Sequence, residues 1–128
     1  MIKVSCAIIE HNGKILCAQR SGKMDLPNKW EFPGGKVDEE TYEECLIREI
    51  KEELGVEIKI LAQLPISEHI YSESKEIQLI PFRCSLKTFN FLLLEHSRIE
   101  WLDIQNLKSL DWAEADIPIV NYYCKNYK

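Results

Sequence analysis

The sequence predicts an α/β (α+β) fold in which a mixed β-sheet is sandwiched between helices. Three observations predict it: short apolar runs rich in β-branched residues on both sides of the chain's centre, a strongly amphipathic segment at 41–54, and a second helical segment near the C-terminus. With 128 residues the chain is expected to form one domain over 1–128, being too short for two ordinary ones. Hydrophobic residues at 45 % and charged residues at 29 % are the mix of a chain with a packed core.

The elements follow in order. Ile2–Ile9 and Ile15–Gln19 read as strands joined through His11-Asn12-Gly13-Lys14, because Asn-Gly supplies the two positive-φ positions of a type I′ turn. Ser21–Lys29, with Gly22, Pro27 and Asn28, reads as a loop. Trp30-Glu31-Phe32 reads as a short strand ended by Pro33-Gly34-Gly35, which interrupts both helix and ladder. Thr41–Leu54 reads as a helix: Thr41 and Glu44 form a capping box, Glu43 and Glu44 sit where the helix dipole favours anions, and Gly55 supplies the stop. Leu46, Ile47, Ile50 and Leu54 form its apolar stripe. Val56–Leu64, Ile77–Leu86, Phe89–Leu94 and Ile99–Leu102 read as further strands, and Ile104–Leu107 as a helical turn. Ile117–Tyr127 closes the chain as a helix with Pro118 in its first turn.

The formal charge of −5, from 21 acidic and 16 basic residues, excludes a chain that coats nucleic acid polymer, since that binding needs Lys and Arg against phosphates. No apolar run reaches the roughly 18 residues of a bilayer span, so no membrane partner is expected. The N-terminus lacks the sections of a signal peptide, so a cytoplasmic location is expected. Cys6, Cys17, Cys45, Cys84 and Cys124 are scattered, with no C-x-x-C pair, and read as small buried hydrophobes. His11, His69 and His96 have no ligand spacing.

The charge is concentrated. Between Asp38 and Glu57 there are nine acidic and two basic residues, a local charge of −7. On a helix turning about 100° per residue, Glu49, Glu52 and Glu53 share one face. Like charges at i,i+4 cost a few tenths of a kcal/mol, roughly, and a divalent cation would reverse that sign. An all-oxygen set without His or Cys selects a hard cation, Mg²⁺ first with Mn²⁺ as a substitute, and Mg²⁺ shares its shell with substrate phosphates. A solvated acidic helix face is the alternative for these three residues alone.

A longer pattern decides between them. Gly34, Glu40, Arg48, Glu49, Ile50, Glu52, Glu53, Gly55 and Val56 spell G-x5-E-x7-R-E-U-x-E-E-x-G-U, with U aliphatic. A chance match is on the order of 10⁻⁸ at typical residue frequencies. The pattern resembles that of the Nudix hydrolases. Trp30–Lys36, Glu95-His96 before Glu100-Trp101-Leu102, and Trp112–Pro118 resemble the MutT branch, so the likeness spans nearly the whole chain. One departure stands out: MutT relatives count from the second glycine of the pair, whereas here the count works only from Gly34, leaving the loop Lys36–Glu39 one residue short.

The resemblance implies a Nudix fold and a Mg²⁺-dependent hydrolase acting on a small-molecule nucleoside triphosphate, as a monomer or weak homodimer. It implies that Glu49, Glu52, Glu53 and the Gly34 carbonyl hold metal, and that Glu40 and Arg48 belong to the catalytic set. Arg48 would orient a glutamate, or simply pair with Glu52. A carboxylate, Glu53 first and Glu95 second, would take a proton from water attacking phosphorus, giving a nucleoside monophosphate and pyrophosphate. Arg20 and Lys36 match substrate-side basic positions, and Phe32 a base-packing one; each is also compatible with an ordinary surface or core role.

Asp116 occupies the place where MutT relatives read the base edge, and it is also placed to cap the last helix. An ionised Asp is acceptor only and suits the paired donors N1 and N2 of guanine, so the expectation is sanitation of 8-oxo-dGTP, in support of DNA repair. Hydrolysis of CTP, dCTP or methylated dCTP is the alternative and would require a protonated Asp116. A non-catalytic nucleotide sensor is disfavoured because all the box glutamates are present.

Overall fold

β1 (Ile2–His11) organises the molecule, because its central run Cys6-Ala7-Ile8-Ile9 is buried on both faces. Alternation sends Cys6 and Ile8 into one apolar layer and Ala7 and Ile9 into the other. The computed structural model describes residues 1–92 and 96–127. β2 (Lys14–Arg20) returns antiparallel to β1 through Asn12 and Gly13, whose φ angles of 52° and 73° are those of the expected hairpin turn. β3 (Trp30–Glu31) pairs with β2, and β4 (Gly34–Lys36) pairs antiparallel with the first half of β1.

After the helix α1 (Tyr42–Leu54), β5 (Ile58–Gln63) and β6 (Ser67–Ser72) both pair antiparallel with the long β7 (Lys75–Leu86). β7 lies parallel to β1, with Ile2 opposite Ile77, so the sheet is mixed. β8 (His96–Asp103) joins β2 antiparallel. Among the described residues the strand order is β3-β2-β1-β7-β5, with β4 also on β1, β6 on β7 and β8 on β2. Two 3₁₀ segments, Ile104–Ser109 and Glu114–Asp116, lead to α2 (Ile117–Asn126). Leu46, Ile50 and Leu54 of α1 cover one face of the sheet; Ile119, Val120 and Tyr123 of α2 cover the other. The expected sandwich is therefore the architecture.

Four local readings are corrected. Gly34–Lys36 is a strand rather than a chain break: a Cβ on Gly34 would run into the Ser5 carbonyl, so the missing side chain is what lets this segment lie against β1. β6 was not foreseen, because Ser67, Glu68, His69 and Ser72 leave it without an apolar run. Phe89–Leu92 is not a strand; Leu92 N donates instead to Leu54 O at the end of α1, and the rest of the expected strand lies outside the described residues. Ile47 is 43 % exposed, and the buried side of α1 is completed by Cys45 and Glu53.

All five cysteines are free thiols, four buried and Cys124 half-buried. Burial pushes the Cys17 and Cys84 thiols up to about 12, which suits the inert role expected of them. Among the described residues no helix is long and apolar enough to cross a membrane.

Candidate active site

α1 is fixed at both ends before it presents any carboxylate. Thr41 Oγ1 accepts from Glu44 N and Glu44 Oε1 accepts from Thr41 N, each at 3.0 Å, and Gly55 closes the helix at φ 72°. On this frame the Arg48 guanidinium gathers the acidic groups. Its Nε donates to Glu40 Oε2 at 3.1 Å and its Nη2 to Glu40 Oε1, while Nη1 donates to Glu49 at 2.8 Å and to both oxygens of Glu52 at 3.3 Å. Nη2 also reaches Lys36 O at 3.4 Å. Both roles expected of Arg48 are present together. The Arg48 hydrogen bonds hold the Glu40 carboxyl below its ordinary range, and Glu40 in turn raises Arg48 further above its own.

The three carboxylates of the helix face differ in environment. The Glu49 side chain is 17 % exposed and that of Glu52 57 %, whereas Glu53 is buried. The glycine strand approaches them closely, since a Cβ on Gly35 would run into the Glu49 carboxyl group. The short loop after it is tied down at several points: Val37 N donates to Lys3 O at 2.9 Å, and Cys45 Sγ lies 3.3 Å from Lys36 O and 3.5 Å from Gly35 O. The loop is thus bonded to both β1 and α1.

This donor set fits a hard divalent cation. Its candidate ligands are all oxygen, and the Gly35 cradle brings backbone and Glu49 carboxylate together where a side chain would keep them apart. Among the described residues no three His, Cys, Asp or Glu side chains are grouped so as to hold a metal ion; Glu49 and Glu52 are turned to Arg48 instead.

A cavity of about 570 Å³ adjoins this region. Gly34, Gly35, Lys36 and Glu53 line it together with Arg20, Glu31, Phe32, Tyr71, Ala115 and Asp116. Asp116 is buried and its Oδ1 accepts from Phe32 N at 3.0 Å. It makes no capping bond to α2, so the capping alternative does not hold. Burial pushes the Asp116 carboxyl well above the usual carboxylate range; the charge of Glu31 adds to this, and the Phe32 N–H and Arg20 pull back. Phe32 is itself buried and packs on Trp112 with ring centroids 4.7 Å apart. Arg20 is paired with Glu31 at 2.7 Å and donates to Asp25 O at 2.6 Å.

The structure thus brings Gly34, Lys36, Glu53, Arg20, Phe32 and Asp116 to one cavity, with Arg48, Glu40, Glu49 and Glu52 gathered beside it. Glu95 lies outside the described residues. Sequence reasoning missed Glu31, which sits between two residues it did select, and Tyr71 and Lys75, which reach the cavity from the unforeseen β6 and from β7.

The comparisons with known proteins agree with this geometry. The NUDIX domain matches residues 1–123. The chain belongs to the Nudix family. As a Nudix hydrolase it is similar to the CTP pyrophosphohydrolase of Escherichia coli (strain K12), 35 % identical over 129 residues and covering 96 % of this chain and 91 % of that protein. It is also similar to the 8-oxo-dGTP diphosphatase of Proteus vulgaris, 36 % identical over 67 residues, 52 % of this chain and 60 % of that one. Among solved structures, the MutT protein of the Nudix hydrolase family from methicillin-resistant Staphylococcus aureus 252 matches with a TM-score of 0.78 at 46 % identity, covering 97 % of this chain and 95 % of its own. Nudix hydrolases generally use divalent metal ions such as Mg²⁺ and act on small nucleotide substrates.

Proposed function

We propose that this chain is a Mg²⁺-dependent nucleoside triphosphate pyrophosphohydrolase that releases a nucleoside monophosphate and pyrophosphate. The observation that carries the reading is that one cavity is lined both by Glu53 and the glycine strand and by Phe32 and Asp116. Such a cavity suits a ligand with a polyphosphate at one end and a base at the other.

Glu49, Glu52, Glu53 and the Gly34 carbonyl are the residues that would hold Mg²⁺. When bound, the ion supplies charge neutralisation at the phosphate oxygens and lowers the pKa of the attacking water. Arg48 orients Glu49 through their 2.8 Å bond, and Glu40 in turn anchors Arg48. Glu53, a buried carboxylate lining the cavity, is the proton acceptor we favour. Lys36 and Arg20 provide positive charge along the cavity wall.

The choice of base starts from the state of Asp116. The expectation of guanine rested on an ionised, acceptor-only carboxylate, and the burial of Asp116 disfavours that form. A neutral carboxyl offers one donor and one acceptor, which pair with N3 and the N4 amino group of cytosine. The same carboxyl meets guanine at O6 and N1. A neutral Asp116 thus admits both bases, and we place cytosine nucleotides first on the likeness to the E. coli CTP pyrophosphohydrolase over nearly the whole chain, and 8-oxo-dGTP second on the shorter likeness to the P. vulgaris diphosphatase.

A panel of CTP, dCTP, dGTP and 8-oxo-dGTP, with products identified by mass spectrometry, tests both parts. Monophosphate and pyrophosphate, with the highest kcat/KM on cytosine nucleotides, is the expected outcome. Orthophosphate plus a diphosphate would overturn the reaction, and a clear preference for 8-oxo-dGTP would reverse the order of substrates.

A further inference from the structure

The turn that carries Asp116, Glu114–Asp116, is a three-residue 3₁₀ segment without a side-chain cap, so its position is set by what grips it. β3 grips one side: Trp30 O accepts from Ala113 N at 2.8 Å, and Phe32 N donates to Asp116 Oδ1 at 3.0 Å. β6 grips it as well. Its residues alternate, with Glu68, Ile70 and Ser72 exposed and Ser67, His69 and Tyr71 more buried. All three of the latter bond to the turn. Ser67 Oγ donates to Ala115 O at 2.9 Å, Tyr71 Oη accepts from Ala115 N at 2.9 Å, and His69 Nε2 lies 2.7 Å from Glu114 Oε2. Both backbone polar groups of Ala115 are thus held by side chains of one strand, and the Ser67 bond is buried.

We propose that this face of β6 is a positioning device for base recognition: Ser67, His69 and Tyr71 set where the Asp116 carboxyl stands in the cavity. The proposal rests on the reading of Asp116 as the base-edge residue. Two hydrogen bonds to a base edge weaken steeply when the carboxyl shifts or tilts, so a turn this short needs outside support. Tyr71 is the most informative of the three, because it also lines the cavity, with Lys75 Nζ 5.7 Å from its ring centroid. Removing its hydroxyl leaves the Ala115 N–H without its acceptor and the ring in place, so the turn gains reason to move.

The test measures kcat and KM on CTP, dCTP, dGTP and 8-oxo-dGTP for the parent protein and for Tyr71→Phe, Ser67→Ala and Asp116→Ala, with the Tm of each. Tyr71→Phe is expected to raise KM for the best nucleotide about tenfold with kcat within about twofold, and to erode its preference over the other bases by a similar factor. Ser67→Ala is expected to act in the same direction and by less. A lowered Tm with unchanged base preference in both variants overturns the proposal, because loss of stability alone does not discriminate between bases. Should Tyr71→Phe fail to fold, Ser67→Ala and His69→Ala carry the test with the same two outcomes. If Asp116→Ala erodes the preference and the β6 variants do not, positioning by β6 fails while base reading by Asp116 stands. If Asp116→Ala leaves the preference unchanged, both fall.

Discussion

Beside the cavity, the polar groups of a single stretch, Glu40–Glu52, are charged and partly open to solvent; in its lining, Asp116 is buried and bonded to Phe32, 84 residues away in the chain. The first region tolerates mutual repulsion because Arg48 neutralises it locally and a cation can complete it. In the second, no cation among the described residues is in hydrogen-bond contact with Asp116, and burial raises its carboxyl and favours the neutral form. One molecule thus treats carboxylates in two ways, pairing a group of them with an arginine and burying another.

The largest expected effect falls on the charged region. Chelation of divalent metal by EDTA is expected to abolish turnover while the far-ultraviolet circular dichroism spectrum stays unchanged, since Arg48 already partners Glu40, Glu49 and Glu52. Loss of the spectrum on chelation would show that the carboxylates depend on the ion for folding. Next comes Glu53→Gln, expected to lower kcat by about 10²–10³, the range of a lost general base, with the fold retained. Steady-state kinetics at saturating Mg²⁺ decide it, and an unchanged kcat removes Glu53 from the site.

Gly35→Ala examines the close approach. The added methyl meets the Glu49 carboxyl, so a destabilisation of about 1–3 kcal/mol is expected together with weaker metal affinity, read by denaturant melts and metal titration. Full parent-like affinity would mean that the strand yields without moving Glu49.

The smallest and most diagnostic effect belongs to the buried acid. The folded-state pKa of Asp116 is raised, so between about pH 4 and that value the folded protein holds a proton that the unfolded chain has released. This contribution to stability is greatest below about pH 4 and declines as pH rises. Asp116→Asn carries no such proton and is expected to lose less Tm than the parent between about pH 5 and pH 8. Parallel Tm profiles would show that the acid is not held neutral.

How much of this was legible in the sequence depended on distance along the chain. The capping box at Thr41 and Glu44 and the Asn12-Gly13 hairpin are written in neighbouring residues, and each stands as expected. The family resemblance pointed Arg48 at a glutamate and helix spacing at Glu52; its bonds to Glu40 and Glu49, and the burial of Glu53 away from the other two carboxylates, needed the structure. Gly34–Lys36 was misread because glycine signals a break in isolation and a close strand pairing only when Ser5 is opposite. β6 was missed because its inward side chains are polar, and their partners are the backbone of a turn far along the chain.

The sequence by itself therefore determined the family, the sandwich of helices about a mixed sheet, and the concentration of negative charge on one helix, since all three follow from local pattern and spacing. The tertiary structure alone decided the burial of Asp116 that raises its carboxyl, its bond to Phe32 and the grip of β6 on its turn. The reason is physical: a carboxyl's charge is set by the water it loses and the groups it meets, and both are fixed only when distant segments pack.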